Sequence, residues 1–383
     1  MGQSDTAELD DATGTKRFRA KRNAILAAAS EAINEQSAKG MTFADVARRV
    51  GLNTTSVTYY FKRKEDLAQA CFEHTLLTLG DMLDEAQAEP TPEARVAKYL
   101  SLNMARFARI RENDERALAG LSDLRAMEEP MLGRLMAGWR DIFRRTRALW
   151  GEPSDRRQKD LNGARAHVLL EETFWIPAWI TRYDLDQFDR VEARLMDMFR
   201  HGIAPKGATW SPAMLDVEHQ DAEPGREAFL RAATRLINEL GYRGASVQKI
   251  ASELNVTKGS FYHHLDAKDD LVIECYKRSF DTIIETQQAG ENEGGDWWHK
   301  LSSVIATLLD VQFSERGPLL RTTALTGLPR QVRSAMIVSQ SLMALQNAAF
   351  DMRKWASTMP RERAVAMYAS TLAFGMFDDR AAG

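Results

Sequence analysis

The feature that most constrains this chain is an internal repeat. Sliding the sequence along itself by 204 positions lays residues 22–71 over 226–275 without a gap, with 15 of those 50 positions identical. Leu26 meets Leu230, Ala28 meets Ala232, Ile33 meets Ile237, Asn34 meets Asn238, Gly40 meets Gly244, Ala47 meets Ala251, Ser56 meets Ser260 and Lys64 meets Lys268. Cys71 and Cys275, the chain's two cysteines, also coincide. Chance does not account for a gap-free match of this length. Whatever the 383 residues fold into must contain the same supersecondary unit twice.

Each copy parses into three helices. Ile25, Leu26, Ala29 and Ile33 form an apolar stripe, and Gly40 is the expected stop, since a residue without Cβ turns left-handed at little cost. Thr42 and Asp45 fit an N-terminal capping pair, and Phe43, Val46, Ala47 and Val50 give the i, i+3, i+4, i+7 face of a second helix. Val247, Ile250, Ala251 and Leu254 repeat that face, behind Ser246 in the place of Thr42. A tight turn follows, at Gly51-Leu52 or Asn255-Val256, and Asn53 or Thr257 caps a short third helix. Two short helices joined this way make a helix-turn-helix, whose second helix can enter a major groove.

The remaining sequence is helical by period, without a convincing alternating strand run, so an all-α fold is expected. Residues 1–15 read as a disordered tail, 16–64 as the first head, 65–202 as a helical lobe, 203–225 as a Pro/Gly-bearing linker, 226–268 as the second head and 269–383 as a second lobe. Two cysteines cannot make a disulfide framework, and the longest apolar stretches, such as 174–180, fall far short of a membrane span. No leader is evident at the start. A reducing cytoplasm, without a membrane partner, is the expected setting.

A net charge of −3 and a pI near 6.2 hide a segregation. Residues 16–64 hold 11 Lys/Arg against three acids, a net of +8, and residues 226–268 hold seven against four, a net of +3. The rest therefore carries −14. Positive charge sits where phosphates would lie. The third helix of copy one adds Thr54, Thr55, Ser56, Thr58, Tyr59 and Tyr60, where a merely solvated face would favour Lys and Glu. Hydroxyls donate to phosphates and base edges, and Gly259 in copy two allows close backbone approach. The run Lys16, Arg17, Arg19, Lys21 and Arg22 is placed like an arm for an adjacent minor groove. Ordinary packing helices are the competing reading.

Both copies resemble the DNA-binding head of TetR/AcrR-type bacterial transcriptional regulators, whose motif runs Gly-Val-Ser-Lys-Gly-Ser-Leu-Tyr-Tyr-His-Phe and then Lys-x-x-Leu. Copy two matches through Asn255, Val256, Thr257, Lys258, Gly259, Ser260, Phe261, Tyr262, His263, His264, Leu265 and Lys268. Copy one matches from Gly51 through Phe61 to Lys64, with Thr58 departing from the family's tyrosine. The resemblance covers about a quarter of the chain. It implies base reading by Thr54, Thr55, Lys258 and Gly259, and phosphate contacts from Tyr59, Tyr60, Lys64, Tyr262, His263, His264 and Lys268. Thr42, Ser56, Ser246, Ser260, Thr58, Arg17 and Arg19 complete the candidate DNA-contacting set.

The resemblance also implies that the lobes hold a small-molecule pocket and a dimer face. Trp139, Phe143, Phe174 and Trp175 in the first lobe, and Met336, Met343 and Phe350 in the second, are candidate pocket residues for an apolar or aromatic effector, though such side chains at helical spacing usually form core. Trp175 and Trp179 are equally interface candidates. His167 and Glu171 stand one turn apart, but a metal site needs a third ligand, so a surface pair is expected, with no metal or other cofactor. Cys71 and Cys275 read as small buried residues. No phosphate-cradling loop, nucleophile elbow or carboxylate pair suggests an enzyme.

The expectation is a DNA-binding regulator, a repressor of a double-stranded operator, whose affinity an effector modulates. The alternative is a helical ligand-binding or assembly protein in which the second helix-turn-helix is vestigial. One chain with two heads favours an intramolecular pseudo-dimer over a four-headed homodimer.

Overall fold

The computed structural model describes residues 4–217, 224–253, 268–321 and 352–379. All regular structure among them is helical. In chain order the helices are α1 (Ser4–Gly40), α2 (Phe43–Arg49), α3 (Thr54–Tyr60), α4 (Lys64–Gln87), α5 (Pro92–Arg111), α6 (Met131–Ala148), α7 (Arg156–Trp179), α8 (Phe188–His201), α9 (Pro224–Gly244), α10 (Val247–Glu253), α11 (Lys268–Asn292), α12 (Trp297–Phe313) and α13 (Arg361–Phe374). The chain divides into two compact units, Met1–Gly80 with Ile110–Arg140, and Asp81–Arg109 with Asp141–Gly383. The segment expected as one lobe, 65–202, is thus shared between them.

In the first unit the stripe on α1 is buried as its period requires, with Ile25 and Ala29 wholly inaccessible. Burying a side chain the size of Ile25 contributes roughly 1.5–3 kcal/mol. The stripe residues pack with Val46, Ala47 and Val57 from α2 and α3, and with Leu67 and Cys71 from α4. Two sequence expectations need correction here. α1 does stop at Gly40, but the positive-φ residue is Ser37 (φ 71°), three residues before that end, and Gly40 donates its N–H to the Ser37 hydroxyl over 3.4 Å. And α1 begins at Ser4, so the backbone is helical where a tail and then a basic arm were expected. Nothing between Lys16 and Arg22 breaks a helix.

Asn34, on α1, clasps the loop before the Leu121–Ala126 turn, donating to the Leu118 carbonyl over 2.8 Å and accepting from the Gly120 N–H over 2.7 Å. The second unit repeats this: Asn238 donates to the Leu319 carbonyl over 2.8 Å and accepts from the Arg321 N–H over 2.9 Å. The thiols of Cys71 and Cys275 donate alike, to the carbonyls of Leu26 and Leu230, each over 3.6 Å. Their identity across the copies has a structural cause, since each closes the same internal contact. Burial pushes both thiols up to about 12, which keeps them protonated packing groups.

The described part of the segment read as a linker, 203–217, is packed. Leu215 and Val217 enter the core formed by α9, α11 and α12. The N–H groups of Ala213 and Leu215 donate to the hydroxyls of Ser303 and Thr307 on α12, and the Trp298 indole donates to the Thr209 carbonyl. Further along, α13 lies against α7 and α8 as well as α12. The ends of α8 and α13 cap one another: Ile203 and Ala204 donate to the carbonyls of Leu372 and Ala373, and Met376 donates to that of Phe199. Gly202 (φ 69°) and Gly375 (φ 92°) make the exchange possible. A Cβ on either would collide with the facing main chain, at Ala373 or Arg200. No described helix is long and apolar enough to cross a membrane.

Candidate nucleic-acid interface

The site is built on α2 and α3. Thr42 caps α2 by accepting the Asp45 N–H over 3.2 Å. Asp45 does not return the bond as a capping pair would; its carboxylate accepts from Arg48 and Arg49 and from the Gln36 amide. Burial alone would raise the Asp45 pKa, but the two guanidinium bonds outweigh it and hold the carboxyl below its ordinary value. Gly51 (φ 64°) makes the tight turn, and the Leu52 N–H closes it on the Ala47 carbonyl over 2.9 Å. Asn53 then caps α3 by accepting the Ser56 N–H over 2.7 Å.

On α3 only Val57 is buried. Thr54, Thr55 and Tyr59 are exposed, whereas Ser56, Thr58 and Tyr60 are half-buried. Thr58 spends its hydroxyl on the Thr55 carbonyl. Lys64 donates to the Lys39 carbonyl over 2.9 Å, tying the start of α4 to the end of α1.

Beside α3 runs the basic stretch of α1. Phe18, 41% exposed, lies tilted against Tyr60 with ring centroids 4.8 Å apart and meets Tyr59 edge-on at 6.3 Å. Tyr59 and Tyr60 also meet edge to face at 5.3 Å, which completes a three-ring cluster. Arg22 lies over the Phe61 ring, 5.4 Å from its centroid. Lys16, Arg17, Arg19, Lys21 and Lys62 are exposed, with no ion pair among the described residues. Sequence reasoning missed Phe18. Its signal was available, because Phe18 precedes Ile25 by seven residues and so continues the α1 stripe past the end of the head's core.

In the second copy Ser246 caps α10 as Thr42 caps α2, accepting the Lys249 N–H over 3.2 Å. Three of its cations are spent internally. Arg226 pairs with Glu274, Arg231 with Glu227 and the Glu315 carbonyl, and Arg235 with Glu253, leaving Lys249 exposed. Lys258, Gly259, Ser260, Tyr262, His263 and His264 lie outside the described residues. So does the side chain of Lys268, whose backbone opens α11.

The model of "Bacterial regulatory proteins, tetR family" matches residues 25–71 and again 229–275. The chain carries two tandem TetR-family units. The Transposon Tn10 TetC protein of Escherichia coli is 31% identical over 84 residues, which is 22% of this chain and 42% of that protein. The Fatty acid metabolism regulator protein of Bacillus subtilis is 31% identical over 78 residues, 20% of this chain and 40% of the relative. The chain thus spans less than half the length of these curated relatives. A solved TetR-family transcriptional regulator from Bordetella parapertussis 12822 superposes with a TM-score of 0.39 at 18% identity, over 46% of this chain and 92% of the other.

Behind the TetR units, four of the seven pocket candidates lie among the described residues. Trp139 and Phe143 are half-buried on α6, and Phe143 packs edge-on to the His167 ring at 6.1 Å. Phe174 meets Trp175 edge to face, and the Trp175 indole donates to Glu171 over 3.3 Å. Met336, Met343 and Phe350 lie outside the described residues. His167 corrects a further expectation: it is 7% exposed, between the rings of Phe143 and Tyr368, not on the surface. No trio of His, Cys, Asp or Glu among the described residues is placed to hold a metal ion.

Proposed function

We propose that this protein is a sequence-specific DNA-binding transcriptional regulator, acting as a repressor, in which the first TetR unit supplies most of the attraction to the duplex and a small-molecule effector modulates affinity. The observation that carries the reading is the first unit's face: a capped α3 with Thr54 and Thr55 exposed, beside unpaired basic side chains and a three-ring cluster. Exposed hydroxyls at a helix start suit base edges, and unpaired lysines and arginines suit phosphates.

The two units are unequal in this reading. Neutralising phosphates needs cations that are not already neutralised. The first unit has five such exposed side chains on α1 and after α3, whereas the described arginines of the second are paired within the protein. That pairing gives specific support to a second reading, in which the second helix-turn-helix keeps the fold and adds little to DNA affinity.

Salt-dependent binding to a promoter fragment tests both. Tyr60→Ala is expected to weaken binding, by about 1–3 kcal/mol if the ring stacks or grips the backbone. Binding unchanged by both Tyr60→Ala and His264→Ala rules out the DNA-reading role. Loss with the first alone makes the second unit vestigial.

A further inference from the structure

An open groove in the second unit lies where none of the pocket candidates above falls, though Trp179 on its wall was read as an interface candidate. Pro177 sits in the last turn of α7, and a short 3₁₀ turn, Ile180–Arg182, redirects the chain into α8. Asp184 and Gln187 fix that entry with a capping box. The result is an open groove of about 430 Å³. One wall is Trp179 against Tyr183, edge to face at 6.1 Å and 82°. The floor comes from α8, where Val191 and Leu195 stand one turn apart. The other wall carries Arg190 and Arg194, also one turn apart. Both guanidinium groups are exposed and have no ion-pair partner among the described residues.

The geometry points to a binding site for a flat aromatic anion of the arylcarboxylate class. Its size falls in the range of small-molecule pockets, and its chemistry follows their pattern: an apolar aromatic bed with a few polar groups to set orientation. Two planar guanidinium groups on one helix edge recognise a carboxylate by parallel N–H bonds, and a ring between Trp179 and the α8 aliphatics gains offset contacts. Acidic neighbours such as Asp186 and Asp189 favour one small anion over a long polyanion. The site deepens the effector part of the proposed function and rests on that reading only for its regulatory consequence.

Calorimetric titration of the full chain with 2-naphthoate and its neutral twin 2-naphthamide tests the site. The acid is expected to bind one per chain, about tenfold tighter than the amide. In an Arg190→Gln/Arg194→Gln protein that preference should vanish, with the melting temperature unchanged because both side chains are exposed. Tyr183→Ala should weaken both probes together. No binding of either probe, equal binding of both, or a preference that survives the double substitution overturns the site. So does light scattering that shows the groove covered by a second copy, with Tyr183→Ala dissociating it. Promoter binding with and without saturating 2-naphthoate separates the two readings: an unchanged affinity leaves the site intact and removes its effector role.

Discussion

Ser37 holds a backbone conformation (φ 71°, ψ 161°) that only glycine adopts without cost. The matching position of the second copy is Gly241. Ser37→Gly is therefore expected to stabilise the first unit by about 1 kcal/mol, since the strain relieved exceeds the long bond from Gly40 that is lost. A raised denaturant midpoint with an unchanged slope would show it. Nothing in a serine announces a positive φ, and the aligned glycine was the legible clue. Phe18 makes a second residue-level case. Because its ring packs against that of Tyr60, Phe18→Ala is expected to weaken promoter binding as Tyr60→Ala does, and in the double variant the losses should not add. A third concerns Glu172, whose burial in α7 pushes its carboxyl pKa up, with no cation paired to it among the described residues. A carboxyl with a raised folded pKa favours the native state when protonated, so its contribution is lost as pH climbs from the ordinary glutamate range through the folded value. Glu172→Gln should raise the melting temperature at pH 7, and the gain should disappear near pH 4, where both states carry the proton; an equal gain at both pH values removes this account.

At the scale of elements, the two copies keep one clasp with its polarity reversed. In the first, Arg49 on α2 reaches Glu31 and Glu35 on α1; in the second, Glu253 on α10 reaches Arg235 on α9. The register of 204 maps Glu31 onto Arg235 and Arg49 onto Glu253, so an ion pair was exchanged across the same helix crossing. That exchange also moves a positive charge off the first helix of the helix-turn-helix, in keeping with the second unit's weaker charge. Surface pairs contribute little, but the Asn34 clasp holds two main-chain groups of the loop, the Leu118 carbonyl and the Gly120 N–H. Asn34→Ala should cost about 1 kcal/mol per lost bond, and a cost indistinguishable from zero in chemical denaturation would show water taking its place. The helices of both heads were legible because apolar period, caps and turn residues agree there. Residues 16–22 were misread as an arm because a run of like charge resembles one, although Phe18 shares the stripe of Ile25. Residues 203–217 lack a helical period, yet they are fastened by two buried side chains and main-chain bonds to serine and threonine hydroxyls, which periodicity does not register.

For the molecule as a whole, the exchange between α8 and α13 bears on the single-chain pseudo-dimer read from the sequence. These are helices of equal span, Phe188–His201 and Arg361–Phe374, one from each repeat, and each donates main-chain N–H groups to the last carbonyls of the other. Around the exchange, the Trp150 indole donates to the Met376 carbonyl, and buried Arg165 on α7 pairs with Asp379 over 2.7 Å. Helix ends leave carbonyls that need partners, and here the partner is the other repeat of the same chain. We therefore expect one 43.2 kDa chain to be the working species, with a mass in light scattering that matches it and a footprint no longer than two heads can cover. Gly375→Ala adds a side chain where the Arg200 carbonyl lies and where φ is positive, so it should destabilise the protein by more than the about 1 kcal/mol that Gly→Ala costs at an ordinary left-handed position. If the exchange is what joins the repeats, the same substitution should split a single thermal transition into two while Gly207→Ala, also left-handed but in open space, leaves it single. Two transitions in the unsubstituted protein, or a dimer with a footprint of twice that length, would place the pairing between chains instead.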